Sequence, residues 1–434
     1  MSPLSFRCGW RSKRRRRQAA GNRSLVSVAL LAVLGNAAPA PAQVDQARAA
    51  AFFKEAAVLC AREGGRLWGV SLCGPMVFAD PVTREIATNQ PAPDAPRPQA
   101  LGFANAAMLW GETRWTILVW PMVAKMDEPE RARVMLHELF HRIQPEIGLF
   151  VAEGQNDHLD SLDGRYWMRL EWRALARALD AAGTERTVAT RDALAFRAAR
   201  RAAFPGAAAN ERLLEINEGL AQYTGTVAAV RTAGAAVADA IQQLMEIEMT
   251  PSFVRTFAYP SIAAYGLLLD TVSPDWTRRI RSTDDVGELL MRAATLEPSA
   301  DAAAAALRYE GAALRAAEIT REEDQRARVA AYRQKFVDGP VVLLPNGRSN
   351  SFVTTGITPI PGAGSVYPSF RTTGDWGSLV ASAVLLATDR TTLTLAGPFT
   401  TDGATLFGDG WTLALAGGWA VRPGLRAGDF VIAR

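Results

Sequence analysis

Three histidines occur in the 434 residues of this chain, and two of them stand four apart in 136-LHELFHRI-143. Residues four apart on an α-helix lie one turn apart on one face, so His137 and His141 can present imidazole nitrogens to a single ion. Zinc accepts imidazole ligands, and a zinc that does chemistry typically keeps three protein ligands and a water. Glu138, next to the first histidine, then has the place of a base that takes a proton from that water once the metal has lowered its pKa. Each residue type in this H-E-x-x-H spacing has a task. The bland alternative is a pair of histidines on a solvated helix face. It asks chance to gather two of three histidines into one turn with a glutamate between them.

The third ligand decides the class of site. A histidine six residues after His141, with a glycine between, would give the metzincin pattern; positions 144 and 147 are Gln and Ile, which excludes it. The stretch 214-LEINEGLAQYTG-225 reads as a helix on which Glu215 and Glu218, three apart, share a face. At this point the chain resembles the gluzincin metallopeptidases (the peptidase MA clan, with thermolysin and the zinc aminopeptidases). Many of them carry N-E-G-L-A-x-Y on a downstream helix, its glutamate being the third zinc ligand. The resemblance implies Zn2+ held by His137, His141 and Glu218, with Gly219, Ala221 and Tyr223 completing the motif. Glu215 then falls where it can hold a histidine N–H or the ligand carboxylate.

The spacing departs from the family. Residues 142–217 separate His141 from Glu218, more than in the best-known members, and the extra length reads as a helical insertion at about 160–205. It leaves Glu171 in 165-RYWMRLEWRAL-175, His158 or an aspartate as competing third ligands. His158, in 155-QNDHLDSLDGRYW-167, is a candidate proton donor or oxyanion stabiliser, against a loop residue fixed by Asp157 or Asp160. Tyr259, in 256-TFAYPSIAAYGLLLD-270, is a third catalytic candidate. The resemblance implies a tyrosine there that steadies the tetrahedral intermediate, although Ile262 stands where the family has glycine; a packed aromatic is the alternative. The likeness covers roughly residues 105–270. The G-x-M-E-N stretch of zinc aminopeptidases is missing, so an endopeptidase or specialised hydrolase is expected rather than an aminopeptidase.

These residues need elements to position them. Residues 46–63 have helical periodicity ending at Gly64-Gly65, and 66–120 hold short apolar runs, a loop at 89–99, and a hairpin in 107–122 turning at Gly111-Glu112. Strand 114–121 is expected to pair with extended substrate. The helix carrying the histidines starts at Asp127 as N-cap, with Glu130 three residues on, and stops at Pro145. Further helices are expected over 161–182, 187–203, 209–232, 235–247, 261–271 and 299–335. After Asp338-Gly339-Pro340 the sequence turns to alternating runs such as 391-TTLTLAG-397. The expected fold is therefore α+β: a mainly helical, zincin-like catalytic domain with a small N-terminal sheet over 44–338, and an all-β module over 339–434.

Composition bounds the partners. The pI near 9.1 belongs to the first 43 residues, which hold eight Lys or Arg and no acid. Removing them takes the net charge from +4 to −4, so no basic surface suggests a nucleic-acid partner. Those residues read as a signal peptide, a basic start before 25-LVSVALLAVLG-35 with small residues before a cut near Ala42. The apolar run is too short to span a bilayer, and no later stretch is long and apolar enough. Periplasmic or secreted location is expected, and with it a Cys60–Cys73 disulfide. The expected activity is hydrolysis of a peptide or protein substrate by a zinc metallohydrolase. The alternatives are a catalytically inactive envelope scaffold, against which an intact Glu138 argues, and a structural zinc, which usually closes with four protein ligands.

Overall fold

A computed structural model describes residues 43–152, 154–353 and 356–434; residues 1–42, where the signal peptide is expected, lie outside them. The fold is α+β, a helical region followed by a curled C-terminal sheet. Helix α1 (Gln46–Glu63) starts where the Asp45 side chain accepts the Arg48 N–H and ends at Gly64, whose φ of 61° suits a residue without a Cβ. Cys60 near its end is disulfide-bonded to Cys73, thirteen residues on.

Strands β1 (Met76–Ala79), β2 (Ile86–Thr88), β3 (Ala106–Trp110) and β4 (Thr113–Val119) form a sheet in the order β2-β1-β4-β3. The β3–β4 hairpin turns at the expected Gly111-Glu112. Alternation along β4 divides its side chains. Trp115 and Ile117 enter a small core with Val77, Ala79 and Trp110, whereas Leu118 joins the main helical core. Because β4 lies between β1 and β3, its ladder is filled on both sides. The free edge expected of strand 114–121 belongs to β3 instead.

A short α2 (Trp120–Val123) leads into α3 (Glu128–Ile143), capped by Asp127 accepting the Glu130 N–H at 3.0 Å. Met135, Leu136, Leu139, Phe140 and Ile143 bury one side of α3 in the main core. The expected insertion is a helical hairpin, α4 (Leu162–Asp180) and α5 (Gly183–Ala203). The single helix expected over 209–232 is α6 (Ala207–Leu214), a π-helical turn over Glu215–Gly219, and α7 (Leu220–Ala229). Helices α8 (Ala233–Ile247) and α9 (Ala258–Asp270) follow, then α10 (Val286–Ala294), which the sequence reading missed. The expected helix over 299–335 is divided into α11 (Ala302–Ala306) and α12 (Gly311–Arg333) by Glu310, whose φ of 59° interrupts the helical path.

From Val341 the chain forms an eleven-stranded sheet among the described residues, with the long hairpin Gly364–Gly374 and Gly377–Ala387 near its centre. It has its own core around Phe370, Trp376, Trp411 and Leu393. The end of the preceding helix also packs on it: Val329, Tyr332 and Phe336 meet Ile360, Val366 and Leu385. The change of architecture at Asp338 is therefore not a break in packing. No helix among the described residues is long and apolar enough to cross a membrane.

Candidate metal centre

Three elements converge on the histidines. Helix α3 supplies His137 and His141, the π turn supplies Glu218, and the first turn of α9 supplies Tyr259. Their close approach explains two glycines. A Cβ on Gly219 would lie 2.6 Å from Cβ of Ile262, and one on Gly225 would lie 2.5 Å from the Arg133 carbonyl oxygen. The glycine that follows Glu218 thus lets α9 press against the ligand-bearing turn, and Ile262 fills the space a side chain would take.

The candidate ligand atoms are already gathered. His137 Nε2 and His141 Nε2 lie 3.0 Å apart, and Glu218 Oε2 lies 3.3 Å from the first and 3.4 Å from the second. An ion holding tetrahedral ligands at about 2.0–2.1 Å separates them by about 3.3 Å, so the triangle fits zinc. The rings are turned by their outer nitrogens. His141 Nδ1 lies 2.8 Å from Gln144 Oε1, and Gln144 Nε2 donates to the carbonyls of Leu149, Ile216 and Asn217. The amide nitrogen must face those carbonyls, its oxygen must face the ring, and His141 Nδ1 must donate. His137 Nδ1 meets Gln222 Oε1 at 3.1 Å, and Gln222 Nε2 donates to Gln243 Oε1 at 2.6 Å. In neutral rings both inner nitrogens are then unprotonated lone pairs, aimed at each other and at a carboxylate oxygen. Such a triangle is repulsive without positive charge at its centre.

The surroundings favour that charge. Burial lowers the His141 pKa, but the Glu218 hydrogen bond and the Glu138 and Glu218 charges outweigh it and push it up to about 9. Burial raises Glu218, and the two histidines outweigh that and hold it well below the ordinary carboxylate range. Burial pushes the Glu138 carboxyl up, and its Oε2 has no hydrogen-bond partner among the described residues. The Tyr259 hydroxyl donates to Glu218 Oε2 at 2.6 Å, and its ring lies parallel to that of His137 with centroids 5.5 Å apart. Burial and the Glu218 charge push its pKa up, so it stays a donor. All five residues line a cleft of about 670 Å³ whose wall includes Ala106 and Ala107 of β3 and the exposed Phe103, Met122 and Phe150.

Three sequence expectations are corrected. His158 does not line the cleft; its Nε2 lies 2.9 Å from Glu211 Oε1, and neither Asp157 nor Asp160 fixes it. Glu171 accepts from Arg200 and from Tyr265, so it is not a competing ligand. Glu215 does not reach the histidines: Arg197 grips both its oxygens at 2.6 Å. The role assigned to Glu215, holding a histidine N–H, falls instead to Gln144 and Gln222, which the sequence reading missed. The available signal was position, Gln144 three residues after His141 and Gln222 four after Glu218, each on the ligand face of its helix.

No protein-family model, curated protein or solved structure matches the chain. The resemblance to gluzincins therefore rests on the site residues themselves.

Proposed function

We propose that the chain is a periplasmic or secreted zinc-dependent metallohydrolase, and within that class a gluzincin-like peptidase that cleaves internal bonds of a peptide or protein. The observation that carries this reading is the triangle of His137 Nε2 and His141 Nε2, 3.0 Å apart, with Glu218 Oε2 at 3.3 and 3.4 Å from them. Glu138 supports a catalytic rather than a structural ion, since an acid–base group with a free oxygen lies in the cleft beside the triangle.

Zinc bound to His137, His141 and Glu218 would polarise a substrate carbonyl and acidify a water molecule. The chain's own groups account for the rest. Glu138 Oε2 can take a proton during attack and return it to the leaving amine, and the raised proton affinity of a buried carboxyl suits both steps. Tyr259 holds the Glu218 carboxylate in place through its hydroxyl. The free edge of β3 gives an extended peptide backbone groups to pair with along the cleft, and Phe103, Met122 and Phe150 offer its side chains apolar contact. The signal peptide read from residues 1–43 supports export.

Elemental mass spectrometry of the purified mature protein tests the reading together with a peptide-hydrolysis assay. About one zinc per chain is expected, lost or strongly weakened in Glu218→Ala. Glu138→Gln should keep the zinc and lose about 10²–10⁴-fold in hydrolysis. Full zinc occupancy in Glu218→Ala, or none in the wild type, would sink the assignment.

A further inference from the structure

A metal-bound histidine usually donates its outer N–H directly to a carboxylate, a backbone carbonyl or water. His141 follows a version of that rule, since backbone carbonyls orient the amide that meets it. His137 does not, and the path from its outer nitrogen runs much further. Gln222 Nε2 donates to Gln243 Oε1 at 2.6 Å, and Gln243 Nε2 donates to Asp239 Oδ2 at 2.8 Å. Asp239 Oδ1 in turn accepts from Arg133 Nη1 at 2.5 Å. Arg133 stands one turn before His137 on α3 and lines the same cleft, while Asp239 and Gln243 are one turn apart on α8.

We propose that Asp239 is the positioning residue that fixes the tautomer of His137, acting through Gln243 and Gln222. The argument is one of donors and acceptors. An ionised carboxylate only accepts, so Gln243 must turn its NH2 toward Asp239 and its oxygen toward Gln222. Gln222 must then turn its NH2 toward Gln243 and its oxygen toward His137, whose Nδ1 has to donate. Each amide transmits the polarity set at the far end. Thr226 Oγ1, which also accepts from Gln243 at 3.1 Å, sets no polarity because a hydroxyl can donate or accept. Both glutamines could be reversed without changing shape; the carboxylate alone selects one direction. The consequence rests on the zinc reading: the selected direction leaves His137 Nε2 unprotonated and able to ligate.

The substitution Asp239→Asn inverts the chain. Arg133 has donors only, so the new amide turns its oxygen to Arg133 and its NH2 to Gln243. Gln243 and Gln222 then reverse, an NH2 group meets His137 Nδ1, and the ring carries its proton on Nε2, facing the ligand triangle. Adding Gln222→Glu restores the working tautomer. The new carboxylate accepts from His137 Nδ1 and from the reversed Gln243, and no donor or acceptor is left facing its own kind. His141, oriented by backbone, is untouched in either variant.

Zinc affinity by chelator competition, on the full chain and with melting temperatures of the metal-free proteins alongside, tests this. Asp239→Asn should bind zinc about ten- to a hundredfold more weakly than wild type. Asp239→Asn with Gln222→Glu should bind at least as tightly as wild type. A role for Asp239 in stability alone predicts no such recovery. Equal affinity in wild type and Asp239→Asn overturns the proposal, as does a double variant no tighter than the single one. Absence of zinc binding in the wild type would instead overturn the metal reading. Long-range 1H–15N correlation on the neutral rings of the metal-free protein then decides the chain by itself. His137 protonated at Nδ1 in wild type and at Nε2 in Asp239→Asn supports the proposal, and one tautomer in both overturns it.

Discussion

Gln144 does two jobs with one side chain. Its oxygen turns His141, and its nitrogen ties the C-terminal end of α3 to the backbone of the turn that carries Glu218. Gln144→Leu would leave buried carbonyls without a donor and His141 without its guide. A stability loss of about 2 kcal/mol in chemical denaturation is expected, with zinc binding weakened about tenfold or more. An unchanged zinc affinity would show that packing alone orients the ring. His158→Gln, by contrast, should leave zinc affinity unaltered, because its partner is Glu211. At this scale the sequence was readable where the placing of side chains depends on local spacing. One helical turn brings His137, Glu138 and His141 together, whereas Glu218 was reached only through the resemblance. Gln144 and Gln222 were not readable because a glutamine on a helix is ordinary, and only the fold decides which imidazole it meets. Cys60 and Cys73 pair as the sequence reading expected.

Between α5, α6 and α10 lies a buried ionic network that anchors the turn carrying Glu218. Arg197 holds Glu215 and reaches Asp285 at 2.9 Å, Arg201 joins Glu211 and Asp285, and Arg200 joins Glu171 and Glu211. Arg197→Met would strand buried carboxylates and cost about 3–5 kcal/mol in denaturation experiments. Because Glu215 and Glu218 share one turn, zinc affinity should fall as well. Burial raises Asp285 and Glu211, but Arg197 and Arg201 at Asp285, and Arg200 with the His158 hydrogen bond at Glu211, outweigh it and hold both below the usual carboxylate range. Their folded pKa values lie below the unfolded ones, so their contribution is fully present above about pH 4 and is lost as pH falls through the folded values. Stability measured against pH should therefore drop in acid, and Asp285→Asn should flatten that limb. The π turn also explains why Glu215 was misplaced. Three residues apart share a face on an α-helix, but the wider i→i+5 turn sends Glu215 to Arg197 and Glu218 to the cleft. Helix periodicity gave most boundaries within a few residues. It could not report a π turn, nor the left-handed Glu310 within an alanine-rich stretch, since neither leaves a mark in an apolar pattern.

At the scale of the whole molecule, every described residue lining the cleft lies between Phe103 and Tyr259, and among the described residues the C-terminal sheet supplies none. The α+β class and the change to strands near residue 340 were visible from composition and alternation. The sharing of core between the end of α12 and the sheet was not, because it depends on how the two halves meet. A longer tie runs from the disulfide to the site. Arg142, next in the chain to His141, donates to the carbonyls of Ser71, Leu72 and Cys73. Cys73 is clasped to Cys60 on α1. Opening the clasp should cost about 3 kcal/mol for a loop of this length, read as a lower melting temperature under reductant, and should loosen zinc at the same time. On the proposed zinc reading, oxidation would act as a maturation gate: a chain still carrying free thiols should hold the metal more weakly and gain its grip once the Cys60–Cys73 bond closes.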